Sequence, residues 1–232
     1  MSILASIANS LGELVAPTRC AGCERQGVLF CRDCLYQLSR NYAPEQACSR
    51  CAGPFGALAC TECWEISYNF KRVLALGVLD GSLARAIVLY KDSNERRLAD
   101  MLGSILGAHI HECWNTWGDA VCWIPATTEA LHRRGFDHGQ LLGTHVAQRL
   151  TLPAVQLLER PQTRRDQRKL NRGQRLMGEQ RFHCRRNLGV VPEKILLIDD
   201  VFTTGGTAQA ATKALLEAGV QTVRLAVLGR AW

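Results

Sequence analysis

Apolar residues follow two different patterns along this chain. An N-terminal set (Ile3, Leu4, Ile7, Leu11, Leu14) has the spacing of a short amphipathic helix. From there to about residue 68 apolar positions are sparse and broken by cysteine pairs. From Phe70 onward, runs and periods alternate. Arg72–Leu79 predicts one or two strand segments, followed by a helix carrying Leu83, Ile87 and Tyr90 and a second over Leu98–Ile110. Ala120–Ile124 is a short apolar run closed by Pro125, as for a buried strand that ends in a loop. Leu141, Leu142, Val146 and Leu150 mark a helix over Gln140–Leu150. After a polar stretch without a period come an apolar strand over Lys194–Ile198, a helix over Ala208–Ala218 closed by Gly219, and a last strand over Thr222–Leu228. Strands alternating with helices predict an α/β domain over residues 69–232, a mostly parallel sheet covered on both faces. Ligands of such sheets sit at the carboxyl ends of the strands, here after Ile124 and after Ile198.

Composition changes this picture little and charge changes it more. The chain has 232 residues, 47% of them apolar. No run of about 18 apolar residues predicts a membrane span. The first basic residue, Arg19, follows the apolar N-terminal set, which is the wrong order for a secretory signal and suggests the cytoplasm. The net charge is +7, but ten Lys or Arg residues against two acids fall between Arg160 and Arg186. That one segment is strongly basic in a nearly neutral chain, which suggests an anionic partner; a solvated basic loop is the plain alternative.

Four Cys-x-x-Cys pairs crowd the first 63 residues: Cys20/Cys23, Cys31/Cys34, Cys48/Cys51 and Cys60/Cys63. Such a turn aims two thiolates at one point, and two turns make a tetrahedral four-sulfur site suited to zinc or iron. The shorter gaps within the first and last two pairs favour two sequential ribbons; a cross-braced pairing stays open. The expectation is an N-terminal helix and double zinc ribbon over residues 1–68, with about two structural zinc ions by the four-ligand rule.

Asp199 and Asp200 directly follow the Ile195–Ile198 strand, and Thr203-Thr204-Gly205-Gly206-Thr207 then enters a helix. Carboxylates accept two donors each and suit vicinal hydroxyls. Loop N–H groups at a helix N-terminus suit a phosphate. Neither a Walker ending nor Gly-x-Gly-x-x-Gly is present. Strand, Asp-Asp, two apolar residues and Thr-Thr-Gly-x-Thr is similar to the phosphoribosyl pyrophosphate (PRPP) motif of type I phosphoribosyltransferases. The whole chain resembles the competence protein F (ComF) family, which joins a zinc ribbon to such a domain. The shared pieces are the cysteine series, Asp80-Gly81 ahead of a helix ending Tyr90-Lys91, Arg134-Gly135-Phe136-Asp137, and Gln167–Arg175.

The resemblance implies that Asp199 and Asp200 hold the ribose hydroxyls at the reacting centre and that Thr203, Thr204, Gly205, Gly206 and Thr207 wrap the 5-phosphate. It places Pro125, Ala126 and Thr127 in the pyrophosphate loop; Arg133 and Arg134 are added candidate cations, and Lys91 at its helix end suits either a phosphate or the helix dipole. The basic segment, with Arg164, Arg165, Arg168, Lys169, Arg172 and Arg175, matches a lid over the ligand or a contact for nucleic acid. Asp137 stands where the family has Asn, and Met177-Gly178 where it often has Arg-x-x-Asn. Three functions follow as expectations: a PRPP-binding factor in DNA uptake and natural transformation, with single-stranded DNA and DNA-uptake proteins as partners; a transferase using magnesium with PRPP; or a PRPP-sensing interaction protein.

Overall fold

The computed structural model describes residues 17–40, 47–53, 60–61, 63–93, 95–161, 182–185 and 190–231. The N-terminal helix expected over Ile3–Leu14 and the lid residues Arg164, Arg165, Arg168, Lys169, Arg172 and Arg175 lie outside them.

The elements are α1 (Arg32–Arg40), β1 (Arg72–Val78), α2 (Gly81–Asp92), α3 (Leu98–Trp114), β2 (Ala120–Trp123), α4 (Thr128–Arg134), α5 (His138–Leu150), β3 (Leu158–Glu159), β4 (His183–Cys184), β5 (Lys194–Phe202), α6 (Gly206–Glu217) and β6 (Thr222–Arg230). Four strands form a parallel sheet in the order β1-β6-β5-β2. Each reads as an apolar run because both faces are covered. Leu74, Leu76, Val121, Trp123, Leu196, Ile198, Ala226 and Leu228 pack with α2, α3 and α5 on one face. The alternate residues, among them Val73, Ala75, Cys122, Ile195, Leu197, Val223, Leu225 and Val227, pack with α6 and Leu158 on the other.

Local chemistry sets the helix starts. Asp80 accepts from Gly81 N, Thr127 from Ala130 N (3.1 Å) and Asp137 from Gln140 N (3.1 Å). Each caps an otherwise unsatisfied donor. Helices α1 and α4 were not expected: α1 is nine residues placed on the first cysteine group, and α4 has no buried residue to give it a periodic signal.

The two cysteine groups do not sit together at one end. Cys20, Cys31 and Cys34 join the core layer of α2, α3 and α5, whereas Cys48, Cys51 and Cys63 join the layer of α6. The chain crosses from one face of the sheet to the other between them.

Candidate functional site

At the carboxyl ends of β1, β2 and β5 lies a cavity of about 600 Å³. Its lining includes Lys91, Asp92, Pro125, Ala126, Thr127, Arg134, His138, Arg160, Asp199, Asp200, Thr203 and Thr207. Alternation along β5 splits the acidic pair. Asp200 points toward the α2 and α5 face, where its Oδ2 stands 2.6 Å from Lys91 Nζ and 2.7 Å from His138 Nε2. Burial raises the Asp200 carboxyl, but the His138 hydrogen bond and the Lys91 charge overcome it and hold the group below the usual carboxylate range. Asp199 is half-buried and accepts from Asp200 N at 2.9 Å. Burial first, then the Asp200 charge, pushes it up to about 8. The two carboxyls are therefore shifted in opposite directions, Asp199 toward the protonated form and Asp200 toward the ionised one.

His138 links this pair to a chain of charges. Arg134 Nη1 stands 3.1 Å from His138 Nδ1, and Arg134 Nη2 donates to Asp92 Oδ1 at 3.2 Å. A guanidinium can only donate, so Nδ1 must accept and the imidazole proton sits on Nε2, facing Asp200. Arg134 and Lys91 thus both reach the cavity. Arg133 does not line it; its exposed guanidinium stands 3.5 Å from Asp92.

The Pro125–Thr127 loop is pinned from two sides. Asp137 Oδ2 accepts from Ala126 N at 3.1 Å, and Arg160 Nε donates to Pro125 O at 2.7 Å. A Cβ at Gly139 would collide with the Ile124 carbonyl, so only glycine lets α5 start this close to the loop. Asp137, a departure from the family pattern, here both caps α5 and fixes the loop. Arg160 also lies over the Phe182 ring at 4.5 Å, and β3 pairs with β4. The chain therefore leaves at Pro161 and returns at Phe182 beside the cavity mouth. Arg160 and His138 were not singled out from sequence. Arg160 was visible only as the first charge of the basic run, and a lone histidine after a capping aspartate carries no pattern.

Thr203, Thr204 and Gly206 are exposed, and Thr203 and Thr207 line the cavity. Gly205 is the N-cap of α6 at φ 83°, where a Cβ would stand 2.7 Å from Tyr68 Cε1 and 2.8 Å from Phe202 Cζ. Both conformation and space demand glycine.

Among the described residues, two groups of four cysteines have sulfurs mutually within 4.8 Å, and none of these cysteines forms a disulfide. The groups are Cys20/Cys23/Cys31/Cys34 and Cys48/Cys51/Cys60/Cys63, the sequential pairing. Sulfur–sulfur distances are 3.6 Å for Cys23–Cys31 and Cys48–Cys63, 3.5 Å for Cys51–Cys60 and 3.7 Å for Cys60–Cys63. The edge of a tetrahedron with Zn–S bonds of ~2.3 Å is about 3.8 Å, so the donor sets fit the ion. Both leading turns share one geometry. Gly22 N and Arg50 N donate to the sulfur of the first cysteine at 3.4 Å, and Glu24 and Ala52 adopt φ 64° and 54°. With Cys31 N donating as well, backbone bonds overcome burial and lower the Cys20 thiol to about 6. Burial instead pushes Cys51 up to about 11 and also raises Cys34 and Cys63, so metal binding there must displace protons. Thiolate is the form that binds metal.

Residues 137–231 match the phosphoribosyl transferase domain family. Over 101 residues, 44% of this chain, it is 35% identical to the competence protein ComFC of Streptococcus pneumoniae (strain ATCC BAA-255 / R6), covering 43% of that protein. Both the cysteine groups and this match make the chain similar to ComF-type proteins. A shorter match, 61% identical over 36 residues, is to the adenine phosphoribosyltransferase of Kineococcus radiotolerans (strain ATCC BAA-149 / DSM 14245 / SRS30216), covering 16% of this chain and 20% of that one. The matches span less than half the length of these curated relatives. A solved structure of the allosteric regulatory enzyme of purine biosynthesis is 17% identical with a TM-score of 0.40, covering 56% of this chain and 26% of that one. The fold is a type I phosphoribosyltransferase-like parallel sheet carrying two N-terminal four-cysteine groups. No helix among the described residues is long and apolar enough to cross a membrane.

The raised Asp199 carboxyl gives a test by pH. Its folded pKa of about 8 lies above the unfolded value of about 3.9, so between these values the native state holds the extra proton. Stability from this group therefore falls as pH rises through that window. Asp199→Asn is expected to gain on the order of 3–4 kcal/mol over wild type between pH 5 and pH 8 in urea titrations. A difference between the two proteins that stays flat with pH would sink the assignment.

Proposed function

We propose that the cavity binds PRPP, with magnesium on its pyrophosphate, and that this protein uses that ligand in DNA uptake and natural transformation. The observation that carries the ligand reading is the convergence, at one cavity, of the Asp199/Asp200 pair, the Thr203–Thr207 loop, the Pro125–Thr127 loop and the cations Lys91, Arg134 and Arg160. The acidic pair suits ribose hydroxyls, since each carboxyl offers two oxygens to vicinal O–H groups. The exposed loop at the α6 N-terminus suits the 5-phosphate. Arg134 and Arg160 flank the Pro125–Thr127 loop, on the side where the pyrophosphate would lie, and the basic segment departs from Pro161 to serve as its lid. A divalent cation would add charge neutralisation at the leaving pyrophosphate. Zinc in both four-cysteine groups would be structural.

The DNA-uptake part rests on the relative's description as a competence protein and on the basic segment, whose charges suit single-stranded DNA. A second reading, transfer of the phosphoribosyl group to an acceptor, is favoured by the apolar side of the cavity, where Leu79, Ala84, Val88 and Ala130 leave room beside the ribose site.

Calorimetric titration of the intact protein with PRPP and magnesium tests the ligand. Saturable heat is expected with wild type and its loss with Asp199→Ala/Asp200→Ala; no heat with wild type overturns the reading. Pyrophosphate release on adding a panel of nucleobases separates transfer from binding. Binding of labelled single-stranded DNA, expected to weaken steeply with salt, tests the partner.

A further inference from the structure

The ligand loop is held from below by residues of the second cysteine module. Arg230, the last residue of β6, is 6% exposed and lies between the two. Its Nε donates to Cys51 O at 2.8 Å, and its Nη1 donates to Thr203 O at 2.8 Å and Phe202 O at 3.3 Å. One planar guanidinium thus spans a metal-ligand residue and the first residue of the loop. Its fork fixes both distances at once, which a flexible ammonium would not do.

Tyr68 acts beside it. Its hydroxyl donates to Thr204 O at 3.3 Å, and its ring stacks on Phe70 (4.7 Å) and meets Phe202 edge-on (6.0 Å). The ring fills the space that a side chain at Gly205 would need. Asn69 N donates to Gln209 Oε1 at 2.8 Å, and Gln209 Nε2 donates to Ser67 O at 3.4 Å, clamping the first turn of α6. Three successive parts of the loop, at Thr203, Thr204 and Gln209, therefore take their position from residues 51 and 67–69.

The position of Cys51 O depends in turn on the cysteine turn. Ala52 N donates to Cys48 O at 2.7 Å, Cys48 N to Gly53 O at 2.8 Å, and Ala52 is strained at φ 54°. Without a cation, the bonds to metal that draw Cys48, Cys51, Cys60 and Cys63 together would be lost from that turn. The first cysteine group is placed differently. Gly22 packs on Ser82 at the start of α2, and Arg85 Nε donates to Gly22 O. That contact is to the side of α2, with Lys91, the cavity cation on that helix, six residues beyond Arg85, about 9 Å by the helix rise. Among the described residues, no bond from the first group reaches the Thr203–Thr207 loop.

We propose that Arg230 and Tyr68 are positioning residues through which the Cys48/Cys51/Cys60/Cys63 site shapes the ligand loop, so that metal occupancy of this site sets affinity for the phosphoribosyl ligand. The inference rests on the PRPP reading. The two cysteine groups then have unequal roles: the second is part of the ligand site, and the first supports the fold.

The test uses the intact zinc-loaded chain, with PRPP and magnesium as probe. Arg230→Gln is expected to keep both zinc ions and weaken PRPP binding at least tenfold, and Tyr68→Phe to weaken it a few-fold. Cys60→Ser should lose one zinc and at least tenfold in affinity, with a loss at least fivefold smaller for Cys23→Ser. Linkage adds an arm that needs no variant: saturating PRPP must tighten zinc at one site and not the other when a chromogenic chelator competes for it. If Arg230→Gln fails to fold, Tyr68→Phe and the chelator competition decide. Wild-type affinity in folded Arg230→Gln and Cys60→Ser, or a ligand that tightens both zinc ions or neither, overturns the coupling. A wild type that binds no PRPP is read first: it overturns the ligand reading and the coupling with it.

Discussion

Asp200→Ala is expected to lower the melting temperature by roughly 10 °C at neutral pH, a loss of about 3–5 kcal/mol for removing one partner of a buried charge pair in a chain of this size. Asp200 is nearly buried and faces Lys91 at 2.6 Å and His138 at 2.7 Å, both of them largely covered. Deleting the carboxylate leaves the largely covered ammonium without its counter-charge and the imidazole N–H without its acceptor. The cost is that of the orphaned partners more than of the lost attraction. Lys91→Met in the Asp200→Ala background should therefore recover a good part of the loss, as coupled sites require. The pH dependence is opposite to that of Asp199. The Asp200 carboxyl is held below its ordinary value, so its contribution is present above the unfolded pKa and lost as pH falls through the folded one. Differential scanning calorimetry of the single and double variants measures this. A melting temperature within a degree or two of wild type for Asp200→Ala would show that the pair is not holding the site together.

Removing the metals is expected to be more damaging still. A structural zinc contributes an apparent binding free energy of about 10–16 kcal/mol in small zinc modules, as large as the whole stability of an ordinary domain. In this chain the loss would not be confined to one end, because Cys20, Cys31 and Cys34 are built into one core layer and Cys48, Cys51 and Cys63 into the other. Dialysis against a strong chelator under reducing conditions should abolish the cooperative thermal transition, and two equivalents of zinc per chain should restore it. Elemental analysis is expected to give about two zinc ions per chain by the four-ligand rule. Protein containing neither zinc nor iron, or a chelated chain with an unchanged melting curve, would count against both sites.

The pattern of apolar residues carried most of the fold. Strands buried on both faces leave continuous runs, as at Ile195–Ile198, and helices packed on one side leave a period, as at Leu142, Val146 and Leu150. Helix α4 left neither, because it buries nothing. The acidic pair and the threonine-glycine loop were legible because their chemistry is local: a strand end, two carboxylates and a helix start lie within nine residues. The same holds for the cysteine pairs, since a two-residue spacer fixes the turn that aims both sulfurs.

Contacts between distant residues left no such trace. Lys91, the Arg134/His138 pair, Arg160 and Asp200 come from four separate stretches, and only the parallel sheet brings them to one cavity. That the Asp199 and Asp200 carboxyls shift in opposite directions follows from which face of β5 each occupies and what covers it. That Arg133 stays outside while Arg134 enters follows from a rotation of one position on α4. The sequence by itself determined the elements, the metal-binding turns and the ligand loop, because each depends on residues a few positions apart. Only the tertiary structure decided which cysteine group abuts the loop, for Arg230 and Cys51 are 179 positions apart and meet solely through packing.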